Sequence, residues 1–117
     1  MAILGKFLLL CAGHALCDYP LQGDFLAKGK NRWKAIPGVP WYQCLFAHAL
    51  IHAGMVYLIT GVLWMGLAEL AIHAFVDYAK CAEWFGSQTY GTEGINSSAF
   101  NIDQAIHYGC KLLWAVL

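Results

Sequence analysis

The chain has 117 residues, of which 60% are hydrophobic, 15% aromatic and only 12% charged. Typical globular chains are roughly 45–50% apolar and about 25% charged, so this composition excludes a disordered chain and a polar secreted scaffold. Seven acidic and seven basic side chains give no net charge, which excludes a basic nucleic-acid-binding domain. With a mean hydropathy of +0.53, the sequence favours a membrane-embedded helical protein over an unusually apolar soluble subunit.

The cysteines predict no structural framework, and the N-terminal segment predicts a helix rather than a cleaved leader. The five cysteines are odd in number, contain no C-x-x-C pair and lie in apolar runs, so neither a disulfide framework nor a zinc ribbon is expected. The apolar start, residues 1–15, runs into His14 and Asp18 without a small-residue cleavage site. We therefore expect a retained first helix rather than a signal peptide.

Four apolar segments predict four helices, because they are long and lack internal proline. The first covers residues 2–18 and stops near Pro20, and residues 21–28 form a short amphipathic continuation. A basic loop over residues 28–40 leads to the second helix, 41–60, and Gly61 lies at the turn to the third, 63–82. A loop rich in glycine, serine and threonine precedes the fourth, 99–117. The expected architecture is a single all-α domain over residues 1–117, an up-down-up-down four-helix bundle embedded in a membrane.

The basic loop predicts the orientation of this bundle. It contains Lys28, Lys30, Arg32 and Lys34, and by the positive-inside tendency it faces the cytoplasm. Both termini then lie on the opposite side. Four tryptophans at segment ends are typical of an interfacial aromatic belt; they are Trp33, Trp41, Trp64 and Trp84.

Every histidine has another potential metal ligand four residues away, with one such pair in each predicted helix. The pairs are His14 and Asp18, His48 and His52, His73 and Asp77, and Asp103 and His107. Residues four apart share a helical face, with β-carbons about 5–6 Å apart. Given the alternating helix directions, all four pairs fall toward the same, cytoplasmic end. The spacing therefore predicts one three-dimensional site.

The chemistry of these side chains favours two divalent metal ions. Five neutral imidazoles and three carboxylates carry three negative charges, so two divalent ions and one hydroxide would make the cluster neutral, as a low-dielectric site requires. Imidazole-rich ligation favours zinc, with iron, manganese or nickel as alternatives, over magnesium or calcium. Eight ligands would saturate two tetrahedral zincs, so a catalytic centre needs one or two of them to act as indirect supports. The competing interpretation is a buried polar network that only orients the helices.

Three further charged residues predict a second polar layer. Lys6, Glu69 and Lys111 each lie eight residues from a site residue toward the opposite membrane face. We expect Glu69 to pair with Lys111. Lys6 is either a further partner or a lysine that extends toward the interface, and Glu69 is a candidate proton relay.

Four blocks in order resemble domain-of-unknown-function family 3307, a family of small bacterial and phage membrane proteins. The blocks are HALCDYPLQGDFLAKGK, HALIH, HAFVDYAK and IDQAIH, and they extend over nearly the whole chain. The resemblance implies motif positions at His14, Asp18, Gln22, Asp24, Lys30, His48, His52, His73, Asp77, Lys80, Asp103, Gln104 and His107. Pro20 departs from the first block, which affects how Gln22 and Asp24 are presented. The family name supplies residues but no reaction.

The leading hypothesis is an inner-membrane hydrolase, bacterial or phage-encoded, with a two-metal centre toward the cytoplasmic side. Its expected metal ligands are His14, Asp18, His48, His52, His73, Asp77, Asp103 and His107. Gln22, Lys30, Lys80 and Gln104 are the expected catalytic residues, and the lysines would bind an anionic group of a phosphoester or lipid substrate. The expected partner is membrane lipid rather than nucleic acid, and oligomerisation is left open. The alternatives are a metal carrier, sensor or interaction module, or a structural phage membrane or virion component, which would not explain the histidines.

Overall fold

A computed structural model describes residues 2–85 and 98–117, with only the backbone at 98 and 99. Within these ranges the secondary structure is entirely helical, which confirms the all-α prediction. The helices are α1 (Ile3–Asp18), α2 (Gly23–Gly29), α3 (Trp41–Thr60), α4 (Leu63–Cys81) and α5 (Ser98–Val116). The predicted loop between the third and fourth segments lies largely outside the described residues.

Local sequence signals end and begin these helices. Helix α1 stops at Asp18 because Pro20 cannot continue it, and α3 starts directly after Pro40. Gly61 ends α3 in the left-handed region at φ 71°, which favours glycine. The two-residue link to α4 makes α3 and α4 an antiparallel hairpin. The amphipathic stretch after Pro20 becomes a separate short helix, α2, rather than a continuation of α1.

The four long helices form a ring in which α1 packs on α3 and α5, while α4 packs on the same two helices; α2 packs against α3. The α3–α4 approach is close because Gly66 has no side chain: a β-carbon there would lie 3.0 Å from the Ala53 carbonyl oxygen. The centre of the ring has two halves. One is an apolar core, and the other is filled by polar side chains. The apolar core consists of Leu10, Val56, Met65, Trp114 and Ala115.

The distribution of polarity is inverted relative to a water-soluble protein. All five histidines are buried, with at most 1% of their surface exposed, whereas apolar side chains cover the outside of every long helix. Examples are Leu4 at 67%, Leu58 at 78%, Leu67 at 58% and Leu112 at 49% exposure. Among the described residues, one helix, α3, is long and apolar enough to cross a membrane by length and composition. Mean hydropathy averages over all faces of a helix, and the charged residues of α4 and α5 lower it although they point inward.

Candidate metal centre

The four sequence pairs meet in the polar half of the bundle. The ring centroids of His52 and His73 lie 3.7 Å apart, those of His73 and His107 4.0 Å, and those of His14 and His52 5.0 Å. Each pair lies on the inward face of its helix because residues four apart share one face. The structure thus brings the four pairs together in one place.

Four of these side chains form a histidine-rich group: Asp18, His48, His52 and His73, whose potential ligand atoms all lie within 4.8 Å of one another. Asp18 Oδ1 is 2.9 Å from His52 Nε2 and 3.3 Å from His48 Nε2. His48 Nε2 is 3.2 Å from His73 Nε2. Zinc bonds of about 2.0–2.1 Å in a tetrahedron put ligand atoms about 3.3 Å apart. These three distances are therefore close to the edge length of a tetrahedral zinc site.

Three others form a carboxylate-rich group: Asp77, Asp103 and His107. His107 Nε2 lies 3.2 Å from Asp103 Oδ1 and 3.4 Å from Asp77 Oδ1. Asp103 Oδ1 is buried and makes no well-aligned hydrogen bond among the described residues, so that its polar contact is the ion pair with His107. Such an atom is costly in a protein interior unless a cation or donor approaches it.

Asp77 faces both groups with different oxygens. Its Oδ1 belongs to the carboxylate-rich side, 3.4 Å from His107 Nε2. Its Oδ2 lies 3.2 Å from His48 Nε2 and 3.4 Å from His73 Nε2, on the histidine-rich side. A single carboxylate thus lies between the two sets of potential ligands, as a bridging carboxylate does.

The second polar layer orients His73. The predicted pair between Glu69 and Lys111 is present, with Lys111 Nζ 2.5 Å from Glu69 Oε1. Trp114 Nε1 donates to Glu69 Oε2 at 2.7 Å, and His73 Nδ1 lies 3.3 Å from Glu69 Oε1. An Nδ1–H that donates to Glu69 leaves His73 Nε2 as a bare lone pair. That lone pair then faces Asp77 Oδ2, and a shared cation would remove the repulsion between them.

His14 and Gln104 both contact Asp18 Oδ2, the oxygen that does not face His48 and His52. His14 belongs to neither group; its Nε2 lies 3.1 Å from Asp18 Oδ2 and 3.0 Å from Gln104 Oε1. The Gln104 amide donates to Asp18 Oδ2 at 2.7 Å and to Asp103 Oδ2 at 3.1 Å. The expected ligand His14 is therefore placed as an orienting residue, and Gln104 links the two aspartates.

The predicted anion-binding residues Lys30 and Lys80 form the rim of the cluster. Lys30 turns inward from the basic loop, is 5% exposed, and donates to Asp77 Oδ2 at 2.9 Å and Gln22 Oε1 at 2.6 Å. Lys80 Nζ lies 3.7 Å from Asp103 Oδ2, with 20% of its side chain exposed. The remaining family position in this region, Asp24, is exposed at the start of α2.

The carboxylates of the cluster also act on Tyr19. Burial raises the pKa of the Tyr19 phenol, and the charges of Asp18 and Asp103 raise it further. Around the cluster as a whole, four carboxylates face three ammonium groups, so the carboxylates and lysines taken alone leave one negative charge in excess. The carboxylates belong to Asp18, Glu69, Asp77 and Asp103, and the ammonium groups to Lys30, Lys80 and Lys111. This excess favours a bound cation.

Two contributions were not expected from the sequence. Trp114 was not among the predicted site residues, yet its indole N–H donates to Glu69 Oε2. Glu69 also forms a third set of potential ligand atoms with His73 and His107, all within 4.8 Å of one another. The only sequence signal for the tryptophan is its position three residues after Lys111, on the same helical face. No cysteine belongs to a potential metal-binding group in the ranges that the structure describes.

Comparison with known proteins supports one assignment. No curated protein and no solved structure matches the chain. A family model described as a protein of unknown function (DUF3307) matches residues 6–116. The match includes most of α1, all of the other four helices and every residue of the candidate metal centre, so the chain belongs to the DUF3307 family.

Proposed function

We propose that this protein is a membrane-embedded hydrolase that uses two divalent metal ions, zinc above all, to cleave a phosphoester or lipid substrate. The observation that carries the proposal is the position of Asp77, whose two oxygens face two different groups of ligand atoms. Two-metal hydrolases hold their ions about 3.5–4 Å apart, a spacing that a bridging carboxylate provides.

The inverted distribution of polarity supports a membrane setting. Burying five histidines and four carboxylates while leaving leucines outside is unfavourable in water, because the exposed leucines gain nothing from folding. In lipid the same arrangement is favourable, since ionisable groups face the bundle interior. The basic loop lies at the same end of the bundle as the metal centre, because Lys30 contacts Asp77. By the positive-inside tendency that end faces the cytoplasm.

The reaction proposed is addition of water to phosphorus. The water oxygen bonds to phosphorus, the ester P–O bond breaks, and the proton released by water passes to the departing alcohol oxygen. Bound metal ions supply an acidified water and stabilise charge on the phosphoryl oxygens. Of the chain's own residues, Lys30 and Lys80 bind phosphoryl oxygens at the rim. Gln22 holds Lys30, and Gln104 fixes Asp18 and Asp103 in position.

The test begins with purification in a neutral detergent and elemental analysis. We expect bound zinc, and hydrolysis of a phosphomonoester or of phosphatidic acid that depends on zinc or manganese. His52→Ala loses both metal and activity, and Asp77→Asn loses activity and at least half of its zinc, whereas Asp24→Asn, which changes an exposed acid, keeps both. Absence of metal from the wild-type protein would refute the proposal. Full metal occupancy with no hydrolysis of any phosphoester or lipid ester would refute its enzymatic part.

A second candidate is a metal-binding protein without catalysis. The observation that favours it is burial, since His48 and His73 have no exposed surface. Within this class a sensor or interaction module fits better than a carrier. The half of the bundle beyond Glu69 is filled by an apolar core containing Leu10, Val56 and Met65, which offers no polar path to the other end. Three observations together would distinguish this candidate: bound metal exchanges slowly, its removal changes the binding of a partner, and no ester is hydrolysed.

A further inference from the structure

The two groups of ligand atoms in the metal centre are chemically unequal, and the carboxylate-rich group is shared with lysines. We infer that the carboxylate-rich group takes up its ion together with a phosphate group, so that the second metal ion and the anion bind cooperatively. This inference rests on the proposed metal function. It adds an order of binding and names the class of ligand that completes the site.

The histidine-rich group is complete by itself. His48, His52 and His73 offer three imidazole nitrogens and Asp18 one carboxylate oxygen, which together supply the four ligands of a closed zinc site. His52 and His73 are essentially sealed from solvent, at 1% and 0% exposure. An ion in this group has four ligands before Asp77 Oδ2 is counted as an additional, bridging contact, so it is expected to bind first and tightly.

The carboxylate-rich group is incomplete. Asp77, Asp103 and His107 offer three ligand atoms, one fewer than a tetrahedral ion requires. The buried Asp103 Oδ1 atom makes no well-aligned hydrogen bond among the described residues and is 3.2 Å from His107 Nε2. An ion in this position therefore has an open coordination site that an outside ligand can fill.

Both carboxylates of this group already face ammonium groups. Lys30 Nζ is 2.9 Å from Asp77 Oδ2, and Lys80 Nζ is 3.7 Å from Asp103 Oδ2. A divalent ion placed between the carboxylates is repelled by both lysines. An anion bound at the same time reverses this effect, because the lysines can then turn their ammonium groups from the carboxylates toward it.

Charge balance identifies the anion class. The buried cluster carries one excess negative charge, from four carboxylates against three ammonium groups. Two divalent ions turn this excess into three positive charges. Neutrality is strongly favoured in a low-dielectric interior, and a phosphate group with two negative charges removes most of the surplus.

The rim provides a place for this group. Lys30 is held by Gln22 Oε1 at 2.6 Å, and Lys80 is the partly exposed cation beside Asp103. Two ammonium groups that flank an open metal position are suited to the tetrahedral oxygens of phosphate. A lipid headgroup and a soluble phosphoester both present such a phosphate, and the recognition chemistry is the same for the two.

The test measures zinc binding to the full-length protein in a neutral detergent by equilibrium dialysis at micromolar zinc. The arms contain no phosphate, inorganic phosphate, or phosphatidic acid in the micelles. Without phosphate we expect one zinc per chain. With a phosphate source we expect two, with the half-saturation concentration of the second lowered at least tenfold. An effect of phosphatidic acid alone assigns the anion to a lipid headgroup, and an effect of inorganic phosphate assigns it to a soluble phosphate.

Two variants test the assignment to particular residues. Asp103→Asn should bind one zinc in every arm, whereas the matched variant Asp24→Asn, on an exposed acid, should behave as wild type. Lys30→Met removes one positive charge and should bind the second zinc more tightly without phosphate. Lys80→Gln provides the same readout if Lys30→Met does not fold.

The outcomes separate this inference from the proposed function. Two zincs per chain bound equally with and without phosphate, or one zinc in every arm, would overturn the cooperative binding but leave a metal-binding protein. No zinc in any arm would overturn both.

Discussion

The buried ion pair between Glu69 and Lys111 leads to a prediction about stability that does not depend on the reaction. Both side chains are fully enclosed, at 0% and 1% exposure. Replacing Lys111 by methionine keeps the apolar stem and removes the ammonium group. Glu69 then retains its neutral donor Trp114 at 2.7 Å and the ring of His73 at 3.3 Å, but its charge has lost its counterion.

The expected decrease in the free energy of unfolding is large. Breaking a buried ion pair by removing one partner costs about 3–5 kcal/mol, and the remaining donors favour the lower end, about 3 kcal/mol. In a chain of this size each kcal/mol lowers the thermal midpoint by about 4 °C. We therefore expect Lys111→Met to unfold about 12 °C below the wild type. Thermal unfolding of the detergent-solubilised protein, followed by near-ultraviolet circular dichroism, measures the change.

Two further variants control this measurement. Lys6→Met changes a half-buried lysine of α1 for which no ion pair is found among the described residues, and its effect should stay within about 0.5 kcal/mol. The double variant Glu69→Gln with Lys111→Met removes both charges and should recover at least half of the loss, because replacing both partners of a buried pair is often neutral. A Lys111→Met midpoint equal to that of Lys6→Met would refute the reasoning. So would a double variant whose loss of stability equals the sum of the losses in Glu69→Gln and Lys111→Met.

Three other predictions concern the metal centre. Asp77→Asn keeps the shape of the side chain but loses the charge that faces both groups, and we expect elemental analysis to find at most half of the wild-type zinc; unchanged zinc would mean that Asp77 is no bridge. His14→Gln should keep the number of zinc ions while weakening their binding about 10–100-fold, as loss of an orienting residue does, and a competition titration with a chromogenic chelator checks this. Removal of metal with a chelator should lower the free energy of unfolding by about 2.7 kcal/mol relative to protein with free zinc at 100 times its Kd; identical thermal midpoints would show that zinc does not bind the folded state preferentially.

The local structure was largely predictable from the sequence. The predicted helices 41–60 and 63–82 agree with Trp41–Thr60 and Leu63–Cys81 to within one residue. Long apolar runs form helices, and Gly61 and the proline positions end them through backbone sterics alone. The i,i+4 spacing also placed the polar residues of each helix on one face, since that relation depends only on helical geometry.

The interactions between helices were less predictable. Four pairs on four inward faces indicate a cluster, but the rotation and depth of each helix decide which atoms meet. His14 therefore faces Asp18 and Gln104 instead of joining either group, although its spacing is the same as that of His73 and Asp77. Lys30 is one of four basic residues in the same loop. It turns inward, where Asp77 and Gln22 accept hydrogen bonds from its ammonium group.

Scarce ionisable residues at helical spacing in an apolar chain are sufficient to predict helices and a shared polar interior. The division into two unequal groups, with Asp77 between them and lysines on one side, emerges only when the helices pack together. Helical periodicity acts within one segment, whereas ligand geometry and charge balance depend on distances of about 3 Å between atoms of different helices. Those distances are set by packing, including the close α3–α4 contact at Gly66.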